Sequence, residues 1–581
     1  MGVTWYKITK GESLSIALRW GYILLGPALL LLTAYLLGGA RFDTNDDATL
    51  ELLLQGVAAA RPLSDLHLYF LGWARLTAAL YTWMPAFPWY DLLQVVWLYI
   101  ALATIFYLLA AVLPLGRWGW HLLLVSSIVF AASYLLHLLQ VNFTRPALLL
   151  GAVAAGLLAL PTAGRPATAI RWLVAGLLFT AGWGIRPIAA ELGLLLMAPV
   201  VLVRSVRQWS AALLYMLALS GTLVLATRLG TTPAEEQYTQ LNAIRADAFD
   251  YQHYTFDLRT PTDSLAYATF RLGSGPYDAK LINDSFLRRC LRPAAIAITT
   301  TVLHEWASAA IVMLHQWQPL ALVLLLCQWV AVGWASWRGR LNGRYYRLWL
   351  FAAYQVFFGT LYLGVGIYFH PVARVAQPMI TSFLVGNFLL LGSLGKLTLA
   401  EVPLRPGWLV VSSLALIFTA RHAQHLVQEG RLREQAHANY LAQLARQAAG
   451  TILVEGGLYN EFDNLNLFKS YNLLGYKRIL SLGGWSTYDP SRPALYRYLT
   501  GQNDVATALL VLGRRTDVTW VLDSELADVL KKYLNARSRR STATTIILEP
   551  AAGRPLGGGP LLYTFKEVPA SITTGPPSMK R

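Results

Sequence analysis

Long apolar runs separated by short polar loops make up most of the first 420 residues of the chain. An α-helix rises about 1.5 Å per residue, so about 20 apolar residues cross the roughly 30 Å hydrocarbon core of a bilayer. The pattern predicts an all-α polytopic membrane domain over residues 1–420 with about eleven transmembrane helices, at residues 16–38, 90–113, 119–139, 147–160, 171–184, 188–203, 209–228, 318–337, 347–367, 376–394 and 407–420.

Basic residues lie in alternate loops along this pattern. Lys7, Lys10 and Arg19 precede the first apolar run, which is long for a cleaved signal peptide and is interpreted as a retained signal anchor. With the N-terminus in the cytoplasm, nearly every short inside loop is basic, including the dense run at 338–347. An odd number of spans then places the C-terminus on the external side.

Two further apolar stretches, 65–84 and 295–316, contain charged residues and are interpreted as interfacial or re-entrant. A span at 65–84 would invert every later loop and place the basic run 338–347 outside, against the positive-inside rule. Two large external loops follow from this interpretation: 40–89, with interfacial helices, and 229–317.

The last part of the chain, residues 421–581, is predicted to be a small external soluble α/β domain. A polar helix over 421–448 leads into short β-type runs that alternate with helical segments such as 525–535. The predicted strands are at residues 451–455, 507–512, 517–522, 544–548 and 561–565.

Composition supports a membrane protein and excludes several other classes. The 581 residues are 55% hydrophobic and 14% charged, against about 25% charged in soluble domains. The net charge of +17 comes from basic residues scattered in short loops, which is typical of topology determinants and lipid headgroup contacts and not of a nucleic-acid partner. The two cysteines are too few for a disulfide framework.

Three carboxylates follow the first apolar run, in the sequence RFDTNDD at residues 41–47. Asp43, Asp46 and Asp47 are followed by an amphipathic helix over 48–60. Adjacent carboxylates at a membrane surface repel each other, so one can have a raised pKa or the pair can attract a cation. Equally, Asp46 or Asp47 could cap the helix that follows.

These residues resemble a known family. The acidic pair with its Gly-terminated helix is similar to the opening motif of GT-C-type membrane glycosyltransferases. AGLLFTAGWGIRP at 175–187 and HPVARVAQP at 370–378 resemble segments of the dolichyl-phosphate-mannose and aminoarabinose transferase-like group. The order of these elements covers most of residues 1–420.

The resemblance implies an inverting glycosyltransferase of the GT-C type that takes a sugar from a polyprenyl-phosphate donor at the external face. The acceptor would be a hydroxyl of a glycan, a lipid-linked sugar or a protein. The enzyme would lie in a bacterial inner membrane and take part in the biosynthesis of cell-envelope glycan. It assigns the general base to Asp46, with Asp47 second and Asp43 third. The candidate residues for binding the lipid phosphate are Arg186, Arg374, Arg145 and His370. An arginine at a bilayer edge is also a common membrane anchor.

One departure bears on metal binding. Relatives often carry a second acidic residue after the third span, where this chain reads QVNFTRP at 140–146. The departure weakens the case for a divalent cation bridging two acidic loops, although Asp43, Asp46 and Asp47 could still hold one.

Two other functions stay open. An O-antigen-type polymerase or ligase would use the large loop 229–317. A lipid or glycan flippase would need charges at mid-membrane depth, and Glu191 is the exception in spans that are otherwise almost free of them.

Overall fold

The computed structural model describes residues 16–569 apart from 114–119, 162–163, 203–205, 252, 272–277, 294–310, 312–313, 338–344, 370–372, 394–405, 449, 457–464, 469–477, 539–543 and 551–560. His370 and most of the segments 295–316 and 338–347 lie outside the described residues.

Helices coincide with all eleven apolar runs. In chain order the helices and strands up to the last run are α1 (Ile16–Gly38), β1 (Arg41–Phe42), α2 (Asn45–Gln55), α3 (Ala74–Trp83), α4 (Trp89–Val112), α5 (Trp120–Val129), α6 (Leu135–Leu139), β2 (Gln140–Val141), α7 (Thr144–Ala159), α8 (Arg165–Ile185), α9 (Pro187–Leu202), α10 (Val206–Gly230), α11 (Pro233–Arg245), β3 (Tyr254–Phe256), α12 (Pro261–Arg271), α13 (Asp284–Cys290), β4 (Leu291–Pro293), α14 (Pro319–Trp337), α15 (Tyr345–Phe369), α16 (Ala373–Ser393) and α17 (Pro406–Ala448). A π-helical turn, Phe130–Tyr134, joins α5 to α6.

Six helices, α1, α4, α8, α10, α15 and α16, are long and apolar enough to cross a membrane. The chain is therefore an integral membrane protein with a mostly helical membrane region. Shorter apolar helices coincide with other predicted spans, so the count of eleven crossings stays a prediction.

Helix α7 forms the centre of the bundle, because all 16 of its residues are buried. Its contact with α9 depends on two glycines. A Cβ at Gly151 would lie 2.0 Å from the carbonyl oxygen of Ala190, and a Cβ at Gly193 would lie 2.0 Å from that of Leu148. Small residues at such crossings let helix backbones approach closely inside a membrane.

The end of α1 and the start of α4 lie at the same end of the bundle, here called the site end. Asp47, nine residues after Gly38, accepts a hydrogen bond of 2.8 Å from the hydroxyl of Tyr90 in the first turn of α4. Between them, α3 has ten residues and rises about 15 Å, half the bilayer core. The helix within residues 65–84 is therefore too short to cross the bundle, and the interfacial position of these residues stays a prediction.

The long loop after α10 folds into helices α11 to α13 and one antiparallel pair of strands, β3 and β4. It has a small aromatic core of its own, in which Tyr238, Phe270 and Phe286 are almost completely buried. Tyr488, from the end of the chain, lies edge-on against Phe270 with 6.1 Å between ring centroids. The loop and the C-terminal region are therefore in contact.

The C-terminal region contains the predicted mixture of strands and helices. Its five strands lie in the order β6-β5-β7-β9-β8, with β6, β5 and β7 parallel and β9 and β8 antiparallel. The elements are β5 (Ile452–Gly456), β6 (Arg478–Ser481), α18 (Arg492–Thr500), α19 (Val505–Gly513), β7 (Val518–Leu522), α20 (Ser524–Ser538), β8 (Thr544–Pro550) and β9 (Leu561–Pro569).

One predicted strand is wrong, because residues 507–512 lie in helix α19. The Asp504 carboxylate accepts the N–H of Thr507 at 3.0 Å and caps this helix. Val505, Leu509 and Leu512 are buried at a spacing of one helical turn. A short apolar run fits a strand and a buried helix equally well. Here the N-cap residue Asp504 favours the helix.

The expected division at residue 420 falls inside a single helix. Helix α17 runs for 43 residues from Pro406 to Ala448, so the last apolar run and the polar helix at 421–448 form one continuous element. The membrane region therefore leads into the C-terminal region through a helix and not through a flexible linker.

Candidate active site

The acidic segment after α1 is held between two distant parts of the chain. β1 pairs in parallel with β2, which follows α6. On the other edge, the N–H of Phe42 donates to the carbonyl of Leu465 and the N–H of Leu467 donates to that of Ala40, both at 2.9 Å. Residues 40–42 are thus the middle strand between the bundle and the C-terminal region.

Helix α2 presents the acidic pair in its first turn. It begins at Asn45 and ends before Gly56, whose φ of 80° favours glycine, so it is shorter than the predicted helix over 48–60. Thr44 is the N-cap residue and its side chain makes no capping hydrogen bond. The oxygens of Asp46 and Asp47 bind groups outside α2, so the capping interpretation of this pair is not supported.

Asp47 is completely buried. Its Oδ1 accepts hydrogen bonds from the Tyr90 hydroxyl at 2.8 Å and from the N–H of Phe143 at 3.1 Å, and its Oδ2 accepts one from Nδ2 of Asn142 at 2.8 Å. Burial raises the pKa of Asp47 to about 8; the Tyr90 hydrogen bond opposes this and repulsion from Asp46 adds to it. Because it is enclosed, Asp47 organises the loops around the site and does not reach a substrate.

Asp43 forms an ion pair with Arg145, with 2.9 Å between Oδ2 and Nη2. The Arg145 side chain is completely buried, and its Nη1 also donates to the Leu136 carbonyl at 2.9 Å and to Oε1 of Gln377 at 2.6 Å. A guanidinium enclosed in this way joins α6, α7 and α16. It is not available to a lipid phosphate, which removes Arg145 from the set of phosphate ligands that we propose.

Asp46 is the most exposed of the three carboxylates, with 23% of its side chain accessible. Its Oδ2 lies 3.3 Å from Nη1 of Arg374, in the first turn of α16. Its Oδ1 accepts a hydrogen bond of 3.0 Å from the indole N–H of Trp485, which follows β6 in the C-terminal region. An accessible carboxylate next to a cation is therefore built from three separate parts of the chain.

Arg186 lies at the junction of α8 and α9 and is half-buried. Its Nη1 donates to the hydroxyl of Thr144 at 2.5 Å. The guanidinium also lies 5.3 Å from the ring centroid of Tyr69 and 5.6 Å from that of Phe143. Within the described part of the chain Arg186 forms no ion pair, so its charge is available to an anion.

Tyr69 connects the two arginines. Its ring lies edge-on to Trp485, with 5.4 Å between centroids, so an unbroken series of contacts runs from Arg186 through Tyr69 and Trp485 to Asp46 and Arg374. Burial raises the pKa of the Tyr69 hydroxyl, and the charge of Arg186 opposes this shift.

The long loop after α10 also comes near this site. Burial raises the pKa of the Tyr251 hydroxyl, and the charges of Arg186 and Arg374 both oppose the shift. Burial likewise raises the pKa of Asp250, with Arg245 opposing it. The charges of both arginines therefore act on a tyrosine of the long loop.

Sequence reasoning missed several of these residues. No sequence motif identifies Trp485 or Tyr69, because the chain contains many tryptophans and tyrosines. The same holds for Asn142, which is an amide in a short loop. Asn142 does lie in the loop 140–146, in which the family resemblance implies a second carboxylate. Its amide donates to Thr44 and to Asp47 and binds the two loops together.

The acidic segment does not fit a divalent cation. Asp43 is paired with Arg145, Asp46 with Arg374, and Asp47 accepts hydrogen bonds from neutral donors. In the described ranges no group of three His, Cys, Asp or Glu side chains converges as metal ligands would. Asp43 and Asp46 therefore each have an arginine of the protein as a cationic partner.

The chain matches no protein-family model and no curated protein. Two similar solved structures are of ArnT from Cupriavidus metallidurans, a GT-C aminoarabinose transferase of the group that the sequence motifs resemble. ArnT bound to undecaprenyl phosphate is 11% identical, with a TM-score of 0.44 over 94% of this chain and 98% of that chain. The apo state is 11% identical, with a TM-score of 0.35 over 96% and 100%. Both scores are below 0.5, so the proposals below rest on the residues of this chain.

Proposed function

We propose that the chain is an inverting glycosyltransferase that moves a sugar from a polyprenyl-phosphate donor to an acceptor hydroxyl at the external membrane face. The observation that carries the proposal is the Asp46 carboxylate, which is accessible and lies beside Arg374. Arg186 and the aromatic side chains of Tyr69 and Trp485 complete the same site. The bacterial inner membrane is the location that goes with this function.

Asp46 is the general base in this proposal. The acceptor oxygen attacks the anomeric carbon from the face opposite the phosphate, and Asp46 takes the hydroxyl proton as the new bond forms. The bond to the phosphate oxygen breaks, and that oxygen leaves with the electron pair. A carboxylate has about four lone-pair positions, so Asp46 can accept this proton while its oxygens also bind Trp485 and Arg374.

Arg186 and Arg374 are the proposed ligands of the lipid phosphate. The leaving phosphate gains negative charge in the transition state, and fixed guanidinium groups stabilise this charge. We place the start of α9, directly after Arg186, near lipid, because its apolar residue Ile188 is 74% exposed. The headgroup of a polyprenyl lipid can therefore reach Arg186 while its chain stays in the bilayer. For His370, between α15 and α16, the role in phosphate binding stays a prediction.

The substitution Asp46→Asn tests the base. An amide keeps the size and the acceptor for Trp485 but takes up no proton, so we expect sugar transfer to fall by about 10²- to 10⁴-fold. The measurement is transfer from a polyprenyl-phosphate sugar in liposomes, with a thermal melt of the same preparation. Asp65→Asn is the matched control, because Asp65 is 61% exposed and pairs with Arg75 away from the site.

Near-normal turnover by a folded Asp46→Asn protein would remove Asp46 from the chemistry. A flippase would also tolerate this change, because lipid movement requires no proton acceptor at Asp46. The same preparation can be tested for lipid translocation, so the two functions give different results.

A further inference from the structure

Trp485 is held rigidly at the edge of the C-terminal sheet. It begins the one-turn 3-10 helix Trp485–Tyr488, which follows Gly484, a residue with a φ of 79°. Buried Arg492 donates to the carbonyl and to the hydroxyl of Ser486, both at 2.9 Å. The carbonyl of Trp485 also accepts a hydrogen bond of 3.4 Å from the Tyr238 hydroxyl of the long loop. Its backbone is therefore fixed from both regions outside the bundle.

The side chain of Trp485 reaches into the membrane region and contacts two site residues. Its indole N–H donates to Oδ1 of Asp46 at 3.0 Å, and its ring lies at 90° to that of Tyr69. Because Arg374 binds the other oxygen of Asp46, the two donors together fix the plane of the carboxylate. Without the indole, Asp46 would keep one partner and could rotate about it.

We infer that Trp485 is a positioning residue for Asp46, and that the C-terminal region supplies a necessary part of the active site. The inference rests on the proposed function. Holding a general base in one orientation lowers the barrier of the proton transfer step and does little for donor binding. Trp485 therefore acts mainly on kcat.

The contacts at β1 support the same conclusion. Phe42 and Ala40 form backbone hydrogen bonds with Leu465 and Leu467, so the C-terminal region binds the acidic segment at its backbone as well as at Asp46. A region that served only as an appended domain would have no such strand pairing in the catalytic segment.

The test is Trp485→Phe, which removes the N–H donor and keeps an aromatic ring against Tyr69. We expect kcat to fall by about 10- to 100-fold, the usual effect of a lost hydrogen bond to a charged group. The KM for the polyprenyl-phosphate sugar should change by less than about threefold. Trp89→Phe is the matched control, because the indole of Trp89 donates to the Met84 carbonyl, away from Asp46.

A double-mutant cycle with Asp46→Asn separates positioning from a structural role. If Trp485 acts through Asp46, adding Trp485→Phe to Asp46→Asn has little further effect on the residual rate. An undiminished further loss in the double variant would overturn the inference, as would a normal kcat in Trp485→Phe. Absence of sugar transfer by the wild-type protein would instead overturn the proposed function, and near-normal transfer by Asp46→Asn would remove only Asp46 as the base, so these failures are distinguishable from a failure of the inference.

Discussion

At the scale of single residues, three carboxylates that are almost adjacent in sequence have different surroundings. Asp43 is paired with a buried arginine, Asp47 is enclosed among neutral donors, and Asp46 is accessible. Spacing along the chain could identify the cluster. It could not rank the members, because their partners come from residues about 40 to 440 positions away.

The raised pKa of Asp47 leads us to expect an unusual pH dependence of the free energy of unfolding. Its folded-state pKa of about 8 is above the value of 3.8 in an unfolded chain. Between these values the folded state binds more protons, so its stability falls as the pH rises, by at most about 1.4 kcal/mol per pH unit. Above pH 8 Asp47 is ionised in both states, and its titration causes no further loss of folding stability.

The measurement is a series of thermal melts in detergent at pH 5 to 9. We expect the wild-type melting temperature to decline between pH 5 and 8, and the decline to be smaller in Asp47→Asn, which has no titrating group at this position. Equal pH slopes in the two proteins would contradict the raised pKa.

At the scale of elements, the apolar runs predicted the helices of the bundle well, since length and hydropathy are local properties. Residues 507–512 and the boundary at 420 were less predictable. In the first case a buried helix and a strand share the same apolar composition. In the second, the buried ion pair of Arg41 and Glu434, with 3.3 Å between Nη2 and Oε2, holds α17 against the acidic segment beyond the last apolar run.

The crossing of α7 and α9 gives a prediction about packing. Gly151→Ala places a Cβ 2.0 Å from the backbone of α9, so the two central helices must separate. We expect a loss of about 1–3 kcal/mol, as for other overpacked cores, measured by the denaturant or temperature at which the protein unfolds.

Gly221→Ala is the matched control for this change. Gly221 lies in α10 and has open space within 4 Å of the added Cβ, so the better helix propensity of alanine should be neutral or stabilising. Similar destabilisation by both substitutions would mean that the loss at Gly151 does not come from its close contact with α9.

At the scale of the whole molecule, the site end should be external. Two cysteine substitutions in a background without Cys290 and Cys327 test this orientation. Ser264→Cys, at an exposed position of α12 in the long loop, should react with a membrane-impermeant maleimide in intact cells. Gly164→Cys, exposed between α7 and α8 at the opposite end, should react only after the cells are opened. The reverse pattern would invert the orientation derived from the basic loops.

The strand formed by residues 40–42 has a consequence for how the protein is made. Its two neighbours, residues 140–141 and 465–467, leave the ribosome at very different times. At a synthesis rate of about 5–20 residues per second, the acidic segment waits roughly 20 to 80 s for its second neighbour. Throughout that interval a nascent chain carries the acidic segment without residues 465–467 or Trp485. If the proposed function holds, activity therefore begins only when translation is nearly complete, and we expect a prematurely terminated chain to insert into the membrane without being active.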